Sequence, residues 1–268
     1  MLKTVMRLFV LLAAIVQIVT PVYVNPFREG GKGLSVKVAS QIEPAGYAFS
    51  IWGPIYLLAL GYAVWQLTAR GRADPVTARI APLAIVLYAG SSIWLSAAQF
   101  GPLWATMPIL VVMAACAVWS LLIASNTPIG SEGSRKERFF AVELPVGLYA
   151  GWTTCAAFVN VAEVAPAFGF DRFGLSVPGY AVSSIAVAAV ISSAILWTTR
   201  GSLPFAGTVV WALVAILIAA LARGHASEVV IAASVAIASV VAVTTAARMR
   251  GDVPPANAAA ARSGSTAS

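Results

Sequence analysis

Apolar runs long enough to cross a bilayer follow one another along the chain at 6–24, 46–68, 79–99, 103–125, 139–162, 178–198, 204–222 and 227–247, with short polar connections between them. About 20 apolar residues span the ~30 Å hydrocarbon core as a helix, and an open strand could not satisfy its backbone there. The pattern predicts an all-α fold, a polytopic transmembrane helix bundle of about eight spans. The runs come in two styles. Residues 1–165 hold six of the eight tryptophans and nearly all the intramembrane polar groups. Residues 178–247 read as Ala/Val/Ile/Ser helices, whose small residues permit close packing. This predicts a functional first half and a packing second half, divided near residue 165. The segment 251–268, rich in Ala, Ser and Pro, has too little apolar surface to fold and is expected to be disordered.

Composition agrees. Apolar residues make up 60% of the 268 and charged residues 10%, against about 25% charged in soluble domains, so nothing is left over for a soluble domain. The charge pattern adds an orientation. With the N-terminus inside, 12 of the 17 Lys and Arg residues fall inside, and Arg28, Lys32, Lys37, Arg172 and Arg223 outside. The expected setting is therefore a bacterial inner (plasma) membrane with N- and C-termini cytoplasmic. The net charge of +7 lies in short loops beside the membrane, which suits anionic lipid headgroups and excludes a nucleic-acid partner. Residues 1–24 read as an uncleaved first helix, because no small-x-small site follows the apolar core. Cys116 and Cys155, with no CxxC spacing, read as packing residues.

Chemistry concentrates in two segments. Between 43 and 66, Phe49, Trp52 and Tyr56 fall at i, i+3 and i+7 and share one helix face, with Gly53-Pro54 inside it and a kink expected there. In the fifth run, Tyr149, Trp152, Ala156 and Asn160 fall at i, i+3, i+7 and i+11. The two faces could enclose a pocket in which indoles stack on a flat molecule while Asn160 and Tyr56 bond its polar edge, or they could simply pack. The loop 25–45 above them reads as a lid or a tether. Glu143 is expected to snorkel or to pair with Arg138 or Lys136, and His225, the single histidine, to be solvated in a loop. Trp65, Trp104, Trp119 and Trp197 suit an interfacial belt, with Trp94 and Trp211 undecided. No P-loop, HExxH or Ser/His/Asp pattern is present, so hydrolytic or nucleotide-driven chemistry has no apparatus here, and an enzyme is the less favoured reading.

Pro44-x-x-Tyr47-x-Phe49-x-x-Trp52-x-x-x-Tyr56, followed in the fifth run by Tyr149-x-x-Trp152-x-x-x-Ala156-x-x-x-Asn160, resembles the signature of the TspO/translocator-protein family, the tryptophan-rich sensory proteins. The resemblance covers 1–165 as a five-helix TspO-like domain. Residues 166–250 would then be a three-helix C-terminal membrane extension, making this an extended branch. It implies an integral membrane protein binding a planar hydrophobic ligand of porphyrin or other tetrapyrrole type, with a sensing or transport role. Tyr47, Phe49, Trp52, Tyr56, Tyr149, Trp152, Ala156 and Asn160 would be the ligand-binding residues. A carrier for another small amphiphile and a light-dependent porphyrin-degrading enzyme remain alternatives. No cofactor is required, although a bound porphyrin or haem is compatible, and the partners are a hydrophobic small molecule and the bilayer, with a homodimer left open.

Overall fold

A computed structural model of the chain describes residues 2–24, 41–129, 132–170 and 172–252. The elements among them are helical: α1 (Leu2–Tyr23), a 3₁₀ turn (Gly46–Ile51) running into α2 (Trp52–Trp65), a short α3 (Ala69–Ala73), α4 (Pro75–Phe100), α5 (Thr106–Asn126), a short α6 (Glu132–Arg138), α7 (Leu144–Val164), α8 (Val177–Thr198), α9 (Leu203–Arg223) and α10 (Ser227–Asp252). Most of the lid-or-tether loop, 25–40, and the tail from 253 lie outside the described residues.

Local chemistry sets the helix starts. Asp74 accepts a hydrogen bond from the Val76 N–H ahead of α4, and Ser176 accepts one from the Gly179 N–H ahead of α8, each filling a donor the first turn leaves open. Just before Pro54, where a kink is expected, the helix changes type. The backbone passes from 3₁₀ to α-helix at Ile51 and Trp52, and Pro54 is the third residue of α2.

Seven described helices are long and apolar enough to cross a membrane, and the chain is an all-α polytopic helix bundle. The eighth long helix, α7, carries Thr153, Thr154, Asn160 and Glu163 and is not among those seven, because these polar residues interrupt its apolar stretch. Its environment explains this. α7 packs against α2, α5, α8 and α9, so protein rather than lipid covers most of its surface. Gly147 and Gly151 face α9 across the tightest part of this contact. A Cβ on Gly147 would come within 2.8 Å of Pro204, and one on Gly151 within 2.7 Å of the Phe205 carbonyl. This Gly-x-x-x-Gly seam joins the two styles of helix that the sequence separates.

One end of the bundle is closed by a polar network. Arg138 forms a two-pronged pair with Asp74, at 2.9 and 3.0 Å, and also donates to the carbonyls of Thr127 and Pro128. Arg138 therefore turns to Asp74 and not to Glu143, one of the partners the sequence left open for that glutamate. Arg7, buried on α1, donates to the Arg72 carbonyl and the Thr77 hydroxyl, while Gln66 donates to the Arg7 carbonyl. Trp65, at the end of its span, donates to Glu137 at 2.9 Å.

Candidate functional site

The start of α2, the middle of α4 and the middle of α7 bring an aromatic box together in the bundle core. Trp52 is its hub, with ring centroids 5.2 Å from Tyr56, 6.2 Å from Trp94, 5.8 Å from Tyr149 and 6.1 Å from Trp152. Phe49 closes on Trp152 edge-to-face at 5.9 Å, and Tyr88 stacks on Tyr149 at 5.8 Å. Such pairs contribute roughly 0.5–1.5 kcal/mol each beyond area burial. Five of the residues singled out in the sequence therefore meet: Phe49, Trp52, Tyr56, Tyr149 and Trp152.

The other three lie elsewhere. Tyr47 points away from the box and packs edge-on against Trp211 of α9 at 5.2 Å. Asn160 sits towards the far end of α7, where its Oδ1 accepts a hydrogen bond from the Thr106 hydroxyl at 3.0 Å. Ala156 lies partly buried between these levels.

The orientation of the indoles matters. Trp52 and Trp152 meet at 84°, edge-to-face, whereas Trp52 and Trp94 lie within 30° of parallel. Trp94, undecided from sequence, is thus the indole best aligned with Trp52. Tyr88, Ser91 and Gln17 were missed, although a lone glutamine within an apolar first helix is itself a signal. Tyr56 and Ser91 share a 2.8 Å hydrogen bond, and Tyr149 donates to Gln17 Oε1 at 3.0 Å. Three buried donors at the box have no partner among the described residues: the Gln17 amide nitrogen and the indole nitrogens of Trp94 and Trp152.

Next to the box runs an extended strap, 41–45, which leads from the far end of α9 to the start of the 3₁₀ turn. Arg223 pairs with Glu43 at 2.8 Å, and His225 Nδ1 lies 3.2 Å from the Gln41 carbonyl. Farther down α9, Ala45 N–H donates to the Ala215 carbonyl at 3.0 Å, and Trp211 Nε1 donates to the Ala48 carbonyl at 3.2 Å. Eight residues of helix separate Ala215 from Arg223, so the strap descends about 12 Å into the bundle. Irregular backbone is tolerated at that depth because protein pairs it. His225 is therefore a strap contact and not a free loop residue.

A model of the TSPO-like protein family matches residues 4–247, running through the box, the glycine seam and all of the last three helices up to Ala247. The chain belongs to the TSPO-like protein family. No curated protein and no solved structure gives a significant match. Family membership and the bundle together make this an integral membrane protein of the TspO type. In this TSPO-like chain, elements from both sequence halves position the signature segment: α4 and α7 hold Trp52, and α9 holds the strap leading to it.

Proposed function

We propose that this TSPO-like protein binds a planar hydrophobic ligand of porphyrin type at the aromatic box and serves in sensing or transport of that ligand. The observation that carries the reading is the trio of unpaired buried donors, Gln17 Nε2, Trp94 Nε1 and Trp152 Nε1, around a cluster of flat rings. A box that only packed would leave these donors at a cost, since buried N–H groups are almost always paired. A ligand with carboxylate or carbonyl acceptors on an apolar ring would satisfy them. The chemistry of the donors fits such a group.

The spacing sets a condition. A flat ring held between two indoles needs their planes about 7 Å apart, twice a van der Waals contact. Trp52 and Trp94, near-parallel with centroids 6.2 Å apart, approach that arrangement, while Trp152 presents its edge. Admission of the ligand therefore requires α2 to move from α4 or α7, and the change of helix type at Ile51 and Trp52 supplies a hinge for it. The same hinge favours transport over passive storage.

The test is titration of the purified protein with protoporphyrin IX, read by tryptophan quenching. Wild type is expected to saturate, and Trp52→Leu and Trp94→Leu to weaken binding by roughly 1–3 kcal/mol each, by analogy with base stacking on aromatics. Unchanged affinity in the double variant would refute the site, and no binding by wild type would refute the ligand class. We also propose that the Arg-rich end faces the cytoplasm of a bacterial inner membrane, both termini included. Reporter fusions at residue 75 and after residue 250 should both read cytoplasmic.

A further inference from the structure

At the Arg-rich end, where Arg138 bonds the Thr127 carbonyl, the flank of α4 and α5 carries a space of about 210 Å³ that is open at the bundle surface. Arg79 of α4 lines it together with Trp119, Leu122, Ile123, Asn126 and Thr127. Sites that enclose a whole small molecule start at about 300 Å³, so this one suits one end of a molecule whose remainder stays outside. It shares no residue with the aromatic box.

Polar and apolar groups are sorted along the site. Val112, Ala115 and Trp119 fall at i, i+3 and i+7 of α5 and are all exposed, and Asn126 follows one heptad later on the same face. That face is therefore apolar up to the indole and polar about 10 Å beyond it, at the helix end. Arg79 Nη1 donates to the Thr127 hydroxyl at 3.2 Å, and that hydroxyl donates in turn to the Ile123 carbonyl at 2.6 Å. The exposed guanidinium is thus held over the space, and no carboxylate among the described residues pairs with it. Its Nε and Nη2 edge is left open. Asn126 uses its amide nitrogen on the Leu122 and Thr198 carbonyls, at 3.0 and 3.4 Å. Its Oδ1 accepts no bond among the described residues.

We propose that this space holds the headgroup of an anionic phospholipid bearing a free hydroxyl, as a phosphoglycerol headgroup does. The phosphate meets the open edge of Arg79, the hydroxyl donates to Asn126 Oδ1, and the chains descend past Trp119 along Ala115 and Val112. Two phosphate oxygens match the guanidinium fork, whereas the cation of a choline headgroup would stand against a like charge. A soluble phosphate would meet the fork and leave the apolar half of the site uncovered, so the occupant is a lipid.

The full chain is reconstituted in phosphatidylcholine vesicles, and indole quenching is followed as lipids with acyl chains brominated near the headgroup are mixed in. The probes are phosphatidylglycerol, phosphatidylmethanol, which has the same charge and no hydroxyl, and phosphatidylcholine itself. The signal of the site is the part that Trp119→Phe removes. For that signal, phosphatidylmethanol is expected to be preferred over phosphatidylcholine by about fivefold, the effect of one arginine at an anionic surface, and phosphatidylglycerol by about threefold more, the effect of one hydrogen bond. Arg79→Gln should bring both anionic lipids to the phosphatidylcholine level. Arg135→Gln, which removes the same charge from the same end, should change neither. Asn126→Ala should remove only the advantage of phosphatidylglycerol. All three side chains are exposed, so helicity and unfolding temperature should stay as in wild type. A preference that survives Arg79→Gln, or that falls equally in Arg135→Gln, would mean attraction to the charged end as a whole and overturn the site. Equal binding of the two anionic lipids would overturn the assigned headgroup contact, and displacement of the lipid by glycerol 1-phosphate in the buffer would overturn the lipid as occupant.

Discussion

The two ends of the bundle are held by opposite means. At the Arg-rich end, Arg138 and Asp74 are almost buried, the pair is two-pronged, and loop carbonyls use the remaining guanidinium donors. At the other end, the one described ion pair joins Glu43 to Arg223, with side chains 55% and 40% exposed. Beside it, single hydrogen bonds to α9 hold the strap. Desolvated, multiply bonded charges resist separation, whereas an exposed pair competes with water and salt at every moment. The difference assigns a fixed base to the Arg-rich end and the capacity to open to the strap end, which is where the chain enters the 3₁₀ turn and the box.

The largest test attacks the base. Arg138→Ala strands Asp74 and two loop carbonyls, and a loss of about 3–5 kcal/mol is expected for a broken buried pair. Denaturant titration in detergent micelles measures it, and a loss below about 1 kcal/mol would show that the two ends do not differ as described. Next comes the seam that ties the halves to that base. Gly151→Val drives a side chain into the Phe205 carbonyl and Thr208, and about 1–3 kcal/mol of destabilisation is expected in the same titration. Unchanged stability would mean that α9 moves freely against α7.

Trp152→Leu sharpens the comparison from inside the box. It removes one unpaired donor and one wall, and porphyrin affinity should fall roughly 5- to 150-fold, the equivalent of about 1–3 kcal/mol, with the fold retained. The smallest effect belongs to the strap. Arg223→Ala should cost only about 0.2–1 kcal/mol, and the difference from wild type should shrink in high salt. It should nevertheless speed hydrogen exchange at the Ala45 amide, since local opening and not global stability governs that proton. Exchange at Ala45 that is as slow as in wild type would remove the ion pair from any part in opening.

The helices and five of the box residues were legible because both follow from short-range regularities. Hydrocarbon thickness sets the length of an apolar run, and a 3.6-residue period puts Phe49, Trp52 and Tyr56 on one face and Tyr149 and Trp152 on another. Asn160 sits on the same pattern as Tyr149 and Trp152 yet meets Thr106, because spacing states which residues share a face and not what stands opposite, while Tyr47, singled out by the signature and not by the period, meets Trp211. Proximity in sequence left Arg138 as one possible partner of Glu143, but Asp74 reaches Arg138 from 64 positions away.

From the sequence alone came the membrane class, the helical architecture, the family resemblance and the two segments that carry the aromatic chemistry. Only the tertiary structure decided that Trp94 and Gln17 join the box, that α7 can be polar because neighbouring helices surround it, and that α9 grips the strap. The physical reason is one of range. Transfer of apolar side chains into lipid is read residue by residue along the chain, whereas hydrogen bonds and ring contacts between helices depend on which faces meet after the helices pack, and small residues such as Gly147 and Gly151 set that meeting without revealing their partner.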